Sequence, residues 1–370
     1  MIVFVHLLND RSGSPSILKQ AIAALSHEGD DSLLFVGSDG SGCLDETAVT
    51  IVRYWYRRTL SRLLTSITYL TSQIVLFVRL FRSREIDKNA LIYINTLLPF
   101  GAALYGRITG RHVIYHLHEV SISPAPLRWF LTTVARLTAQ QLIYVSEFHR
   151  RCLSIRGVHS YIVYNSLDSD FLSQGACSKF HHRREGRFNV LMLASLRDYK
   201  GVPEFVEVAT RLAGRDDIHF NLVANDDVAT MKHYFRCFNL PPNMTVYPRT
   251  ATPASHYTNA SLVLNLSRPD LCVETFGLTL LEAMAFGVPV IAPPVGGPLE
   301  LIDDGCEGYI IDSRNSDKLS EAILKLADDE ALCLQLSEAA RQRSARFSPA
   351  AFADALSDVV RCQYSARKNK

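Results

Sequence analysis

Short apolar runs bounded by turn residues alternate with longer stretches of helical period along almost the whole chain, and this alternation narrows the available folds more than any other feature. One series comprises Ile2 to Leu8, Ser32 to Val36, Ala90 to Ile94, His112 to His116, Gln141 to Val145 and Tyr161 to Tyr164. A second comprises Phe188 to Leu193, His219 to Val223, Met244 to Tyr247, Leu262 to Leu266, Val288 to Ala292 and Tyr309 to Ile311. Strands separated by helices predict β-α units that feed parallel sheets. At 370 residues the chain exceeds what one core serves, so the two series read as two doubly wound domains. The polar, basic stretch Gly175 to Gly186 between them reads as an exposed linker. The expected organisation is a first domain over 1–175, a linker over 176–186, a second domain over 187–347, and a helix over 348–370 that packs back on the first domain.

Charge argues against one class of partner. Lysine and arginine number 39 against 37 acidic residues, a formal +2, so nothing in the balance points to nucleic acid. The eight cysteines stand singly, without a Cys-x-x-Cys pair, and read as reduced thiols of a cytoplasmic protein. The start, MIVFVHLLNDRSGS, lacks a basic leader and reads as a first strand.

One stretch departs from the regular pattern. Within 55–84 no charge occurs between Leu63 and Val78, and arginines crowd both ends. A spanning helix needs about 20 predominantly apolar residues, whereas Thr65, Ser66, Thr68, Thr71, Ser72 and Gln73 interrupt this run, so spanning is not expected. Two readings stay open. The helix lies in an anionic headgroup layer, held by its arginines and by Tyr54, Trp55, Tyr56 and Tyr69, or it is a buried helix with solvated arginines at its ends.

The chemistry concentrates further on, in ETFGLTLLEAMAFGVPVIAPPVGGPLELIDDG. The pattern predicts a helix that opens at Phe276 or Gly277 and closes at Gly287, where glycine suits a left-handed turn. Its N-terminus would present free N–H groups and positive dipole, and Gly277 would let a diphosphate approach closely. Glu274 precedes that helix and Glu282 lies within it, so both can face one cleft. Carboxylates accept hydrogen bonds from the paired hydroxyls of a ribose or hexose. Spacing alone leaves plainer readings open, because Thr279 and Glu282 have the spacing of a capping box and Glu274 is otherwise a surface acid.

Taken together, these residues resemble glycosyltransferase family 4 of the group 1 glycosyltransferases, retaining transferases of the GT-B fold with Glu-x7-Glu in a Glu-x-Phe-Gly-Leu setting. The resemblance runs through Glu274-Thr275-Phe276-Gly277-Leu278, Glu282-Ala283-Met284-Ala285, Gly287-Val288-Pro289-Val290-Ile291, Gly296-Gly297, Glu300 and Asp304-Gly305. It implies two Rossmann-like α/β domains facing a cleft. Glu274 would contact the donor hexose and Glu282 the ribose hydroxyls, while the backbone of Phe276, Gly277, Leu278 and Thr279 meets sugar and diphosphate. Glu300 and Gly296-Gly297 would line the same pocket. Upstream, ASLRDYKGVPEF is similar to the family's Gly-Arg-Leu-x-x-x-Lys-Gly segment, which implies that Lys200 binds the leaving diphosphate. Ala194 and Ser195 stand at the family's glycine and arginine positions, and Arg197 is the candidate for the missing charge.

In the first domain, Asp10 to Ser16 is similar to the loop that faces the diphosphate, with Gly13 allowing close approach. Tyr164 to Asp168 resembles the family's Asn-Gly-x-Asp segment, with Ser166 in place of glycine. His118, at a strand end in His116-Leu117-His118-Glu119, aligns with the family's Tyr-x-x-His segment and is expected near acceptor and donor. Another family histidine appears here as Asn95.

The implied reaction is retaining transfer of a hexose from a nucleoside-diphosphate sugar, with Glu274, Lys200 and His118 as catalytic candidates. The expected acceptor is a saccharide or lipid-linked saccharide, as in surface polysaccharide or lipopolysaccharide assembly. No Asp-x-Asp stands at a strand end, and Asp226-Asp227 and Asp303-Asp304 read as turns, so no metal or other cofactor is expected. The residues Tyr247 to Thr252 are expected near the nucleobase. An epimerase of the same fold and a non-catalytic nucleotide-sugar-binding protein are the alternatives. The expected location is cytoplasmic, peripheral on the inner face of the cytoplasmic membrane, with an anionic membrane surface as a further partner.

Overall fold

The structure, a computed structural model, describes residues 1–26, 31–120 and 122–368, and of 362–368 the backbone only. It divides into two compact units, Met1–Ser166 with the chain from Pro349 onward, and Leu167–Ser348.

The first unit runs β1 (Ile2–His6), α1 (Gly13–Leu25), β2 (Leu33–Gly37), β3 (Thr50–Tyr54), α2 (Arg62–Arg82), β4 (Leu91–Asn95), α3 (Phe100–Ile108), β5 (His112–Leu117), α4 (Ala125–Thr138), β6 (Gln141–Tyr144), α5 (Glu147–Cys152) and β7 (His159–Ile162). The strands pair in parallel, in the order β3-β2-β1-β4-β5-β6-β7. β1, β2 and β4 are buried at every residue, which is why they read as unbroken apolar runs. β3 has no counterpart among the expected strands. It is an edge strand with only Tyr54 fully buried, so half of its apolar signal is missing.

α2 takes a form that neither of its two expected readings describes alone. It is long and apolar enough to cross a membrane by length and composition. One side nevertheless packs on its own unit, burying Tyr69, Ser72, Gln73, Leu76 and Leu80. The Tyr69 hydroxyl donates to the Leu98 carbonyl at 2.7 Å, and Gln73 Oε1 accepts the Gly101 N–H at 3.2 Å. A Cβ on Gly101 would lie 2.3 Å from the Gln73 carbonyl oxygen, so glycine permits this helix crossing. Ser72 and Gln73 thus face inward, while Leu63, Ile67, Leu70, Ile74 and Phe81 are exposed.

The second unit runs α6 (Ser169–Cys177), β8 (Phe188–Ala194), α7 (Val202–Arg211), β9 (Ile218–Ala224), α8 (Val228–Phe235), β10 (Met244–Tyr247), α9 (Ala254–Asn259), β11 (Leu262–Leu264), α10 (Leu278–Ala285), β12 (Val290–Ala292), α11 (Pro298–Leu301), β13 (Gly308–Ile310), α12 (Ser316–Asp328) and α13 (Glu330–Ser344). Its sheet is parallel in the order β10-β9-β8-β11-β12-β13. Phe188, Val190, Met192, Phe205, Phe220 and Leu222 centre its core. The strand order reverses between β8 and β11, and such a reversal opens a crevice beyond the carboxyl ends of the strands.

α14 (Pro349–Lys368) returns to the first unit and packs on α1. The units divide at Ser166 and Leu167 rather than within the 176–186 stretch expected as a linker. That stretch begins in the last turn of α6 and stays anchored in the second unit. Arg183 pairs with Asp217 at 2.9 Å, and Arg184 Nε donates to the Thr258 carbonyl at 3.0 Å. Its basic residues serve as tethers, a role that composition does not distinguish from solvation.

Candidate active site

In the second unit the chain leaves β8 and turns through Ser195 to Gly201 into α7. Gly201 has φ +81°, and a Cβ there would lie 2.1 Å from the Leu266 carbonyl oxygen, so both conformation and space exclude a side chain. This turn brings Lys200 to the loop beyond β11. Its ammonium pairs with Glu274 Oε1 at 2.5 Å, and Ser267 Oγ donates to the same oxygen at 2.7 Å. Burial works against the Glu274 carboxylate, but the Lys200 charge and hydrogen bonds from Lys200, Ser267 and Asn265 outweigh it and lower its pKa. Burial also acts against the Lys200 ammonium, and Glu274 overcomes that effect and raises the lysine pKa. Both groups are therefore charged at neutral pH. Arg197 donates to the neighbouring Leu196 carbonyl at 2.8 Å and is exposed, so it stands outside the Lys200–Glu274 pair.

α10 starts at Leu278, with Gly277 at φ +102° as its N-cap residue and no side-chain cap. The N–H groups of Leu278 and Thr279 therefore begin the helix without a capping side chain. Because the helix begins there, Glu282 lies too deep for a capping box. Instead its Oε2 accepts the Tyr257 hydroxyl at 2.5 Å, and burial pushes its pKa up to about 7. The Phe276 ring is buried against Phe347, with centroids 5.8 Å apart. Gly296 and Gly297 set the Glu274 loop, since the Gly297 N–H donates to the Glu274 carbonyl at 2.9 Å. A Cβ on Gly297 would lie 2.1 Å from the Thr275 carbonyl oxygen.

Gly297→Ala is expected to push this loop away while the backbone at φ −60° tolerates alanine. Overpacking costs about 1–3 kcal/mol, so calorimetric titration with a nucleotide sugar should show roughly tenfold weaker binding.

The remaining expected residues lie in the first unit. Gly13 is the first residue of α1 and is exposed, and the preceding Ser12 N–H donates to Asp10 Oδ1 at 2.9 Å. His118 follows β5, and its Nε2 meets Asn95 Oδ1 at 2.8 Å. Asn95 Nδ2 in turn reaches the Ser14 carbonyl at 3.0 Å and His6 Nδ1 at 3.2 Å. The His116 and His118 rings lie 4.4 Å apart, and His149 Nε2 donates to the Glu119 carbonyl at 2.9 Å. Burial lowers the pKa of His6 and His149 to about 4 and of His116 to about 3, and lowers that of His118 well below its usual value. All four rings are neutral near pH 7.

His6, His116, His149 and Glu119 carry no sequence signal as a group, because only the strand order brings them beside His118. The one local hint is the pair of histidines flanking Leu117 at a strand end.

Residues 176–343 match the family of glycosyl transferases group 1. A D-inositol 3-phosphate glycosyltransferase of Corynebacterium kroppenstedtii is 38% identical over 86 residues, 23% of this chain and 19% of that protein. The chain spans less than a fifth of the length of this and the next curated relatives it matches. Among solved structures, Anabaena HepE in complex with UDP and glucose is similar with a TM-score of 0.76 at 19% identity, over 97% of this chain and 98% of that one. Sucrose-phosphate synthase from Thermosynechococcus elongatus gives 0.77 at 17% identity, over 99% of each chain. The chain thus carries a group 1 glycosyl transferase match over residues 176–343, and its two parallel-sheet units have the GT-B fold.

Proposed function

We propose that the protein is a retaining glycosyltransferase that moves a hexose from a nucleoside-diphosphate sugar to a saccharide or lipid-linked saccharide, in surface polysaccharide or lipopolysaccharide assembly. The observation that carries this reading is the largely buried Lys200–Glu274 pair beside the uncapped start of α10. Without donor the two charges neutralise each other. When a diphosphate enters, the ammonium turns to its oxygens and Glu274 is released to the hexose hydroxyls. The first N–H groups of α10 share the departing charge, and Glu282 accepts from the ribose. The acceptor hydroxyl attacks on the face from which the diphosphate leaves, and a diphosphate oxygen takes its proton. Protein cations and helix dipole supply the stabilisation, so we expect transfer to persist in EDTA. The complex of Anabaena HepE with UDP-glucose supports a nucleotide-sugar donor. The exposed apolar side of α2, with Arg62 at one end and Arg79 and Arg82 at the other, supports a cytoplasmic enzyme resting on the inner membrane face.

Purified protein given a panel of nucleotide sugars and lipid-linked acceptors should release nucleoside diphosphate. Glu274→Gln should remove that release, and nucleoside diphosphate binding that persists in the variant shows that it still folds. Release undiminished in this variant overturns the reading.

A further inference from the structure

We infer that the first unit carries a binding site for the phosphate headgroups of an anionic bilayer, built from α4 and the segment 151–156 that leads into β7. The inference deepens the membrane placement proposed above. α2 packs on α3 and α3 on α4, linked by Tyr69–Phe100 and Phe100–Phe130 ring contacts at 6.0 and 5.1 Å. A helix layer on a soluble domain turns polar residues to water. Here Leu63 is 71% exposed, Ile74 66% and Phe81 62% on α2, Ile108 66% on α3, and Trp129 71% and Leu137 63% on α4. Single apolar residues on a surface are ordinary, whereas a set this large on three adjoining helices marks a surface that meets something apolar.

The charge of this region is predominantly positive. Residues 47–146 contain twelve lysines and arginines against three acids, Glu85, Asp87 and Glu119, in a chain whose overall charge is nearly balanced. Glu119 is occupied by the N–H groups of Leu97 and His118. Arg128, Arg136, Arg151 and Arg156 converge with Trp129 on one hollow of about 430 Å³ whose lining contains no acid. Arg128 donates to the Cys152 carbonyl at 3.2 Å and so ties the segment to α4. Arg151 reaches Glu147 only at 3.8 Å, and among the described residues neither Arg136 nor Arg156 has an acidic partner. Four like charges around one hollow repel, and an anion relieves that repulsion. The planar fork of arginine matches phosphate. Tryptophan beside it suits the headgroup level, with an apolar ring and a polar N–H. A free phosphate would satisfy the arginines alone. The neighbouring apolar side chains select a lipid.

The residues that line this hollow are distinct from His6, His116, His118 and His149.

The full chain has two tryptophans, Trp55 and Trp129, so Trp55→Phe isolates Trp129 as a probe. With vesicles of phosphatidylglycerol and phosphatidylcholine at low salt, Trp129 emission should shift to the blue and the protein should float with the lipid. With phosphatidylcholine alone neither should occur. The double variant Arg136→Gln/Arg156→Gln should partition roughly thirty-fold more weakly, about fivefold per arginine. It should keep full nucleoside diphosphate release in solution, because Lys200 and Glu274 belong to the other unit, which separates failure of this site from failure of the transferase reading. Wild-type protein that stays in the soluble fraction overturns the inference, and so does a double variant that floats like the parent. Titration with glycerol 3-phosphate or inorganic phosphate that saturates the site while vesicles produce no shift reassigns it to a soluble anion.

Discussion

Lys200→Ala should lower kcat by roughly 10²–10³ while changing donor affinity far less. In the proposed reaction the ammonium meets charge that appears fully only as the diphosphate leaves, and removing one such preorganised donor typically costs about that much. Lys200→Arg should not restore the rate, because a forked guanidinium does not replace a compact ammonium in a space shared with Ser267 and Glu274. Stability provides a second signature. The side chains are only 25% and 20% exposed, so removing the lysine strands a carboxylate with too little solvent to compensate. Lys200→Ala/Glu274→Gln, which removes both charges, should therefore melt higher than Lys200→Ala and turn over no faster. A double variant that melts lower than the single would show that the pair does not govern the loop. Rate measurements with saturating donor and calorimetric melting together decide this.

Between pH 6.5 and about 4 the first unit should lose stability steeply. His6 and His149 stay neutral down to about 4 and His116 to about 3, each because burial penalises the imidazolium. The unfolded chain takes up protons on the same residues near 6.5. Over that window the unfolded state binds more protons, so stability falls as pH falls. Each ring contributes on the order of a few kcal/mol. Glu282 acts in the opposite sense within the second unit. Its folded pKa of about 7 lies above its ordinary 4.5, so its contribution is present at low pH and is lost as pH rises through that interval. Trp55 and Trp129 both lie in the first unit, so tryptophan emission in urea follows that unit. The urea midpoint should drop between pH 7.5 and 5, and His116→Gln, which keeps an acceptor for the Tyr93 hydroxyl, should flatten the slope. A midpoint independent of pH would show that the imidazoles are hydrated in solution.

The loop and helix that carry Glu274, Gly277 and Glu282 were legible because their signals are local. Glu274, Gly277 and Glu282 sit within one loop and one helix, and the structure places that helix one or two residues from where the glycine pattern put it. Lys200 was legible as a candidate. Its partner was not, because 74 positions separate it from Glu274 and a salt bridge across two strands leaves no mark on either segment. Arg197 looked like a replacement for the missing cation by position alone, whereas its side chain folds onto the Leu196 carbonyl.

The alternation of apolar runs with helical periods was enough to establish two parallel sheets, since burial on both faces forces an unbroken apolar strand wherever it occurs. It did not show that α2 turns Ser72 and Gln73 inward and leucines outward. It also could not show that His6, Asn95 and His118 meet at the ends of three adjacent strands. Periodicity records which face of an element avoids water only when the other face meets it. Which elements become neighbours depends on strand order, and strand order is settled by long-range packing.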